Sequence, residues 1–478
     1  MELKRIDFLI ILQVISVLLR MYGCTLIIPM IAAYYFKEFA FAKSFLITGV
    51  FIFVITSALI FILRKFLEGH EVKLKHTVIC LALAWIIISV TSMFPFLQEG
   101  VTPVNAFFES LSGWTGSGYT MFEDPSTISP TINFFRGYIQ WVGGFGIVIL
   151  ALLLYAKPIT AQRLFLAEGR SEDFFLDFKK IARIVVMIFF VYTLLGTIAL
   201  TIAGVPLFDA LIHTLTTIST GGYSTNTIGI GTYGVWPMFI GIILMLIGAI
   251  SFNNHYQLLN GNFKKFFKNP ELIFMSSIII ISTIIIFTEI WIINKTFFYD
   301  GFFYVISALS GTGAGTPLAL TSFNQVSIVV LIFLMVCGAG YGSTSGAIKL
   351  WRILIIEKVI RREVVKHFLP EHAVVPIKIS DQIVNDEQAL KVTAYALLYL
   401  SLLFVGSLVF MLAGYSVIDS IFTVASAQGN VGLNILPSEL YFNMNPLLKL
   451  LLTFHMLLGR MEIFPFLILL KSLKPSKF

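Results

Sequence analysis

The sequence predicts an all-α polytopic membrane protein in which four fused repeats surround a pseudo-fourfold pore. Each repeat consists of a first transmembrane helix, a short pore helix and a second transmembrane helix, and two extra transmembrane helices precede the first repeat. Three observations predict this fold class: the composition, a succession of apolar segments, and a motif that occurs four times. Hydrophobic residues make up 57% of the chain and charged residues only 12%, about half the charge of a typical soluble domain.

Ten apolar segments follow one another along the chain, which has a mean hydropathy of +0.90. Because a helix needs roughly 20 apolar residues to cross a bilayer core, each segment is predicted to span the membrane. The segments lie near residues 7–34, 45–63, 76–96, 131–155, 181–204, 236–257, 272–293, 325–356, 391–414 and 446–470. The predicted parts of the chain are the extra N-terminal helices, 1–70, and the four repeats, 71–156, 157–260, 261–360 and 361–478.

Lysine and arginine are concentrated in alternate loops. The basic loops are 64–75, 157–183, 264–268 and 349–378. The loops without Lys or Arg are 94–135, 205–235 and 414–447. This asymmetry follows the positive-inside rule, so we expect a multi-pass protein of the cell inner membrane with both termini in the cytoplasm. The net charge of +7 is then explained by topology, and no nucleic-acid partner is expected.

The recurring motif lies between the two spans of each repeat, at residues 105–120, 209–224, 300–315 and 419–434. It opens with Asp or Asn, carries a hydroxyl group seven residues later and has a glycine thirteen residues after the opening. In chain order, these residues are Asn105, Ser112 and Gly118; Asp209, Thr216 and Gly222; Asp300, Ser307 and Gly313; and Asp419, Ser426 and Gly432. Four unrelated tight turns would explain each glycine but not the shared spacing.

The motif predicts a short helix that descends halfway into the membrane and ends in a loop. Asp or Asn is expected to cap the N-terminus, and the C-terminal end of the helix dipole favours a cation near mid-membrane. Glycine permits backbone angles that turn carbonyl groups inward, and a ring of four such loops can replace the water shell of an ion. The predicted filter residues are Thr115, Gly116, Ser117, Gly118, Ser219, Thr220, Gly221, Gly222, Ser310, Gly311, Thr312, Gly313, Gly429, Asn430, Val431 and Gly432.

The segment that begins at Gln325 has only about a dozen apolar residues before Gly338, some 18 Å of helix at about 1.5 Å per residue. That is short of a bilayer core of roughly 30 Å, so we predict a broken helix with a mobile gate loop at residues 338–347. A glycine-packed helix crossing is the alternative. The predicted gate residues are Gly338, Gly340, Gly342, Ser343, Thr344, Ser345, Gly346 and Lys349.

Arg460 lies fourteen residues after Pro446 in the last apolar segment, near the predicted middle of the membrane. An arginine at that depth is costly unless it faces a cavity or a partner. Facing the pore, its fixed positive charge would act as a barrier to cations. A structural arginine bonded to loop carbonyl groups is the alternative, and both roles are compatible.

Several stretches resemble the Trk/Ktr/HKT superfamily of potassium transporters, and the resemblance covers nearly the whole chain. They are FFESLSGWTGSGYT from Phe107, WVGGFGIVILALLL from Trp141, GAGYGSTSGAIK from Gly338 and MLLGRMEIF from Met456. They look like the first pore loop, the second span of repeat one, the break in repeat three and the arginine-bearing last span of that superfamily. The two extra N-terminal spans favour its bacterial Trk-type, ion-translocating subunit.

The resemblance implies that K⁺ is the permeant ion and that this chain carries no organic cofactor. It also implies a homodimer in the lipid bilayer and a cytosolic, nucleotide-binding regulatory ring of the RCK type, with the basic stretch Lys349–Lys366 as the expected docking face. Family members with serine at the first-loop glycine tend to favour sodium, so Gly118 favours potassium. The first loop has less threonine than is usual, and the fourth, residues 429–432, has no hydroxyl group. The strength of K⁺ over Na⁺ selectivity is therefore left open.

Functions other than potassium uptake fit the sequence to different degrees. A K⁺/H⁺ or K⁺/Na⁺ symporter of the same fold and a Na⁺-permeable homologue remain alternatives. The stretch SGTGAG at residues 310–315 has the glycine spacing of a dinucleotide-binding turn, but such a site requires a preceding strand and an acidic residue about 20 positions further on. Here an apolar helix precedes the stretch, Pro317 follows it and the next acidic residue is Glu357. The protein is therefore predicted not to be an enzyme.

Overall fold

The computed structural model describes residues 5–66, 70, 72–146, 178–293, 298–370, 372–380, 382–461 and 463–473. Within these ranges nearly all regular structure is helical, which confirms the predicted all-α class. One antiparallel hairpin is present, formed by β1 (Ile377–Ile379) and β2 (Gln382–Val384), with Ile377 paired to Val384.

Three helices form the N-terminal part of the molecule: α1 (Arg5–Thr25), α2 (Ile27–Tyr35) and α3 (Phe39–Phe66). α1 and α3 lie side by side because two glycines face each other. A Cβ atom added to Gly49 would stand 3.0 Å from the carbonyl oxygen of Gly23. A larger residue at either position would separate the two helices.

The remaining helices follow in chain order. They are α4 (Leu74–Ser92), α5 (Phe94–Gln98), α6 (Pro103–Thr115), α7 (Pro130–Phe145), α8 (Phe178–Ile202), α9 (Leu207–Ile218), α10 (Val235–Ala249), α11 (Phe252–Leu259), α12 (Phe263–Phe267), α13 (Pro270–Ile293), α14 (Phe298–Ser310), α15 (Gln325–Cys337), α16 (Leu350–Lys366), α17 (Asp386–Leu412), α18 (Val417–Gln428), α19 (Ser438–Phe442), α20 (Pro446–Met461) and α21 (Ile463–Leu473). Short 3₁₀ helices occur at Gly229–Tyr233 and Leu320–Ser322.

Six stretches of the described chain are long and apolar enough to cross a membrane, and two bent helix pairs raise the number to eight. The six are Arg5–Tyr35, Phe39–Phe66, Lys75–Gln98, Arg183–Ile202, Pro270–Glu289 and Asp386–Leu412. This agrees with a multi-pass membrane protein. Residues 147–155 of the predicted span 131–155 and the boundary between the first two predicted repeats lie outside the described residues.

Two of the predicted spans are sharply bent. Segment 236–257 consists of α10 and α11, which meet at 103°, and segment 446–470 consists of α20 and α21, which meet at 108°. Between α10 and α11, Ile250 has extended backbone angles. The Ser251 side chain then accepts a hydrogen bond from the Asn254 N–H and starts a new helix, as an N-cap residue does.

The four motif helices are α6, α9, α14 and α18, and their opening residues are not the N-caps that we predicted. Asn105, Asp209, Asp300 and Asp419 each occupy the third residue of the helix. At α18 the cap is Ser416, whose hydroxyl group accepts from the Asp419 N–H at 3.1 Å and donates to the Asp419 carboxylate at 2.7 Å. A carboxylate in the first turn still interacts favourably with the helix dipole.

The N-terminal helices are tied to the first motif helix through a buried hydroxyl group. Ser92, at the end of α4, contacts the hydroxyl group of Tyr22 at 2.7 Å and accepts from the indole N–H of Trp114 at 2.8 Å. The two aromatic rings also meet edge to face, with centroids 5.6 Å apart. The first motif helix is thus held in place by α1 and α4.

Candidate functional site

Each motif helix is followed by a loop in which the second and fourth residues have a left-handed backbone. In the fourth position φ lies between 69° and 89°, at Gly118, Gly222, Gly313 and Gly432. In the second position φ lies between 53° and 78°, at Gly116, Thr220, Gly311 and Asn430. The sequence pattern identified only the fourth position. Two residues in the second position are not glycine, and a left-handed threonine is an uncommon, strained feature.

The four loops form a closed ring. A Cβ atom added to the fourth-position glycine of any loop would overlap a carbonyl oxygen of the next loop, and the fourth loop contacts the first. The pairs are Gly118 with the oxygen of Gly221, Gly222 with that of Thr312, Gly313 with that of Val431, and Gly432 with that of Ser117. Glycine is required at these positions both by the left-handed angle and by the close approach.

Hydroxyl groups of the motif helices hold the third and fourth loops. The Ser307 hydroxyl group donates to the carbonyl oxygen of Ala314 at 2.8 Å, and that of Ser426 donates to the carbonyl oxygen of Leu433 at 2.8 Å. Each acceptor directly follows the ring glycine. In these two repeats the hydroxyl group seven residues into the motif therefore fixes the end of its own loop.

The second loop is held by Gln140 of α7, a residue that the sequence analysis missed. Its amide donates to the carbonyl oxygen of Gly221 at 2.7 Å and accepts from the Tyr223 N–H at 3.0 Å. Both contacts are buried. A polar residue inside an apolar segment is the signal that could have identified Gln140, because buried amides persist only where their hydrogen bonds are made.

The helix break predicted at Gly338 is confirmed. Helix α15 ends at Cys337 and α16 begins at Leu350, so the alternative of a continuous, glycine-packed helix was wrong. We call residues 338–349 the α15–α16 loop. Two backbone hydrogen bonds join the two ends of this loop. The Lys349 N–H donates to the carbonyl oxygen of Cys337 at 2.9 Å, and the Leu350 N–H donates to that of Ala339 at 3.0 Å.

The middle of the α15–α16 loop lies against three of the four ring loops. The hydroxyl groups of Thr344 and Thr220 are 2.9 Å apart. A Cβ atom on Gly311 would stand 2.9 Å from the hydroxyl oxygen of Ser345, and one on Gly346 would stand 2.7 Å from the carbonyl oxygen of Gly429. These contacts involve the first or second residue of the second, third and fourth ring loops. In contrast, Gln140, Ser307 and Ser426 form their hydrogen bonds with the third residue of a ring loop or with residues that follow it.

Two further contacts fix the first half of the α15–α16 loop. The Gly340 N–H donates to the carbonyl oxygen of Ala249 at 3.0 Å, and the Tyr341 N–H donates to the carboxylate of Glu271 at 2.6 Å. Glu271 is buried in the first turn of α13. Lys349 is also buried, at 8% exposure, and its ammonium group lies 5.7 Å from the centre of the Tyr341 ring.

Arg460 lies in the last turn of α20 and contacts two separate backbone segments. Its guanidinium group donates to the carbonyl oxygen of Thr344 and to those of Gly143 and Gly144 at the end of α7, the last at 3.0 Å. One of these acceptors, Thr344, is a loop carbonyl group of the kind that the structural alternative requires, and the other two belong to the last turn of α7. These bonds link the α15–α16 loop to a helix of the first repeat.

Comparison with known proteins gives a consistent result. The family model described as TrkH, cation transport protein, matches residues 42–298 and 292–478. An uncharacterized cation transporter of Methanocaldococcus jannaschii is 31% identical over 97% of this chain and 95% of its own length. The Trk system potassium uptake protein TrkG of Escherichia coli K12 is 29% identical over 94% and 95%, respectively.

The fold has a solved counterpart as well. The crystal structure of the potassium transporter TrkH from Vibrio parahaemolyticus matches with a TM-score of 0.84 and covers 98% of this chain and 99% of that one, at 24% sequence identity. The resemblance to the superfamily found in the sequence is confirmed, and the relatives are transport proteins, not enzymes. This chain belongs to the TrkH family of cation transport proteins.

Proposed function

We propose that this protein takes up potassium ions by channel-like permeation through the ring of four loops. The observation that carries the proposal is the closed cycle of contacts between each ring glycine and a carbonyl oxygen of the next loop. Among cations, K⁺ is favoured because relatives that align over nearly the whole chain bear the name potassium uptake protein.

The proposed filter consists of residues 115–118, 219–222, 310–313 and 429–432. Left-handed residues at the second and fourth positions of each loop allow the backbone to turn its carbonyl groups toward the centre of the ring, where their oxygens offset the dehydration of the ion. K⁺ is the cargo of this site, and no organic cofactor is expected in the chain. An inside-negative potential supplies about 2.3 kcal/mol per charge per 100 mV, enough for uptake without a chemical reaction.

The proposed gate is the α15–α16 loop, held closed by Arg460. Three observations support this: the loop lies against three of the filter loops, it contains no helix, and its central carbonyl group accepts from the arginine. Breaking those few bonds would let the loop leave the pore. The charge of Arg460 would add an electrostatic barrier to cations as long as the guanidinium group stays near the ion path.

The proposed organisation is four repeats, 71–156, 157–260, 261–360 and 361–478, after N-terminal helices in 1–70, in the inner membrane with both termini cytoplasmic. We also propose a homodimer and a cytosolic, nucleotide-binding ring of the RCK type. The docking face is narrower than the sequence suggested, since Lys349 and Arg352 are buried. It is reduced to the second half of α16, where Arg361 is 72% exposed.

Potassium-limited growth of an uptake-deficient bacterial strain tests the uptake proposal, with and without a co-expressed cytosolic partner. Rescue at limiting K⁺ is expected, and no rescue at normal expression would contradict the proposal. Currents from the purified protein in bilayers separate the alternatives. A reversal potential that follows K⁺ and ignores pH and Na⁺ excludes a symporter, whereas a bi-ionic K⁺/Na⁺ reversal near zero indicates the Na⁺-permeable homologue.

A further inference from the structure

A buried ion pair lies behind the first and second ring loops. Glu109 of α6 is fully buried, and the side chain of Arg136 of α7 is 1% exposed, with 2.7 Å between the guanidinium Nε and a carboxylate oxygen. Burial of two charges is costly unless they are paired and their other donors and acceptors are also used. The bonds that surround the pair therefore indicate what it does.

The carboxylate of Glu109 holds the segment that follows the first ring glycine. One oxygen accepts from the Met121 N–H at 2.7 Å, and the other accepts from the Thr120 hydroxyl group at 3.1 Å. Both residues lie within three positions of Gly118. The exit of the first loop is thus fixed by charge-assisted hydrogen bonds, which are shorter and stronger than neutral ones.

The guanidinium group of Arg136 reaches the second loop as well. It donates to the carbonyl oxygen of Ser224 at 3.0 Å and to the Thr120 hydroxyl group at 3.0 Å. It also lies over the Tyr223 ring, with 4.2 Å from its central carbon to the ring centre. Thr120 and Ser224 each stand two residues after a ring glycine, so one arginine joins equivalent positions of two loops.

The same helix position carries different chemistry in the other repeats. Four residues after the motif opening stand Glu109, His213, Tyr304 and Thr423. The Tyr304 hydroxyl group donates to the carbonyl oxygen of Leu318 at 2.7 Å, so the third repeat has a neutral bond where the first has an ionic one. An ionic bridge between neighbouring loops fixes their separation more firmly than such a neutral bond within one loop.

We propose that Glu109 and Arg136 are positioning residues that set K⁺ over Na⁺ specificity by fixing the separation of the first and second filter loops. The inference rests on the proposed potassium filter. A filter discriminates ions through the placement of its oxygens and the field they exert. Loss of the bridge would let the two loops move together around the smaller ion, so Na⁺ would permeate more easily.

The test is the K⁺/Na⁺ permeability ratio of the full-length protein in bilayers. Glu109→Gln preserves the shape of the side chain but removes its charge, and the ratio is expected to fall on the order of tenfold. Arg136→Lys keeps the positive charge, but an ammonium group lacks the planar donor arrangement of the guanidinium group and cannot bond all of its acceptors. A smaller fall in the permeability ratio is therefore expected. The matched control is Ser110→Ala on the same helix, which removes a bond to the carbonyl oxygen of Ser89 in α4 and should leave the ratio unchanged.

Each outcome decides between specific alternatives. An unchanged ratio in folded Glu109→Gln contradicts the inference, and if that variant does not fold, an unchanged ratio in Arg136→Lys does so. If Glu109 bound the ion directly, Arg136→Met would free the carboxylate and lower the KM for K⁺, which would also overturn it. Failure of the wild-type protein to conduct K⁺ would refute the proposed function instead, so the two failures are distinguishable.

Discussion

The two sides of the four-loop ring are held in different ways. Beyond the ring glycines, the first and second loops are fixed by side chains that belong to helices: Glu109, Arg136 and Gln140. On the other side lies a twelve-residue loop between Cys337 and Leu350, fixed mainly through its backbone. A segment without regular helix, held by a limited number of hydrogen bonds, opens at a lower free energy than packed helices do. This difference supports the proposal that one side of the ring sets selectivity and that the other side moves.

Gly313→Ser tests the ring itself and has the largest expected effect. A Cβ atom there would overlap the carbonyl oxygen of Val431, at a φ of 69°, and such backbone strain alone costs about 1–3 kcal/mol. We expect the K⁺/Na⁺ permeability ratio to fall by at least roughly tenfold, measured from bi-ionic reversal potentials. Gly315→Ser, two residues on, has only contacts of 3.6 Å and longer in its vicinity and is the control. An unchanged ratio in Gly313→Ser would refute the filter assignment.

Arg460→Ala tests the movable side. It removes the bonds to Thr344 and to the end of α7, and charge-assisted bonds are worth about 1.5–3 kcal/mol each. We expect the K⁺ flux into proteoliposomes to rise about tenfold or more, with the K⁺/Na⁺ ratio preserved. Arg460→Lys distinguishes two explanations. If the positive charge is the barrier, the lysine variant keeps the flux low. If the planar guanidinium group is needed to hold the carbonyl groups, the flux rises in the lysine variant as well. Reduced flux in the folded alanine variant would contradict both roles.

Glu271→Gln weakens the anchor at the start of the α15–α16 loop. The buried carboxylate accepts from the Tyr341 N–H at 2.6 Å, and a neutral amide oxygen in its place makes a weaker bond, by about 1 kcal/mol. A roughly fivefold rise in K⁺ flux follows if the closed state alone uses this bond. The control is Ser276→Ala on the same helix, which removes an exposed bond to Leu272. Equal flux in the two variants would show that the loop does not depend on Glu271.

The parts of this architecture that depend on local pattern were visible in the sequence. The four motifs, the helix break before Gly338 and the odd position of Arg460 all follow from composition and spacing over a few residues. The bend at Ser251 was not predicted, because the apolar segment 236–257 was assigned across the polar residues Asn253, Asn254 and His255, which follow the serine that starts α11.

The contacts that unite the site were not predictable, because they join residues far apart in the chain. Thr220 and Thr344 are separated by 124 positions, and Arg136 and Ser224 by 88. The left-handed angle of Thr220 was also hidden, because threonine rarely adopts it and the neighbouring loops have glycine there. In the sequence, Arg136 and Gln140 are recognisable only as polar residues in an apolar segment. Nothing in the local sequence indicates which residues they bond.

Thr344→Val has the smallest expected effect and tests whether the ring loops and the α15–α16 loop are energetically coupled. It removes the hydroxyl group that lies 2.9 Å from that of Thr220 but leaves the carbonyl group that Arg460 holds. A neutral hydrogen bond contributes about 1 kcal/mol, so the K⁺ flux should rise about threefold to fivefold, and Thr344→Ser should match the wild type. A double-mutant cycle with Thr220→Ala isolates the pair: non-additive flux changes mean that the strained filter residue and the α15–α16 loop are directly coupled. Additive changes would mean that the filter and the loop act independently, and the contact would then be one of packing alone.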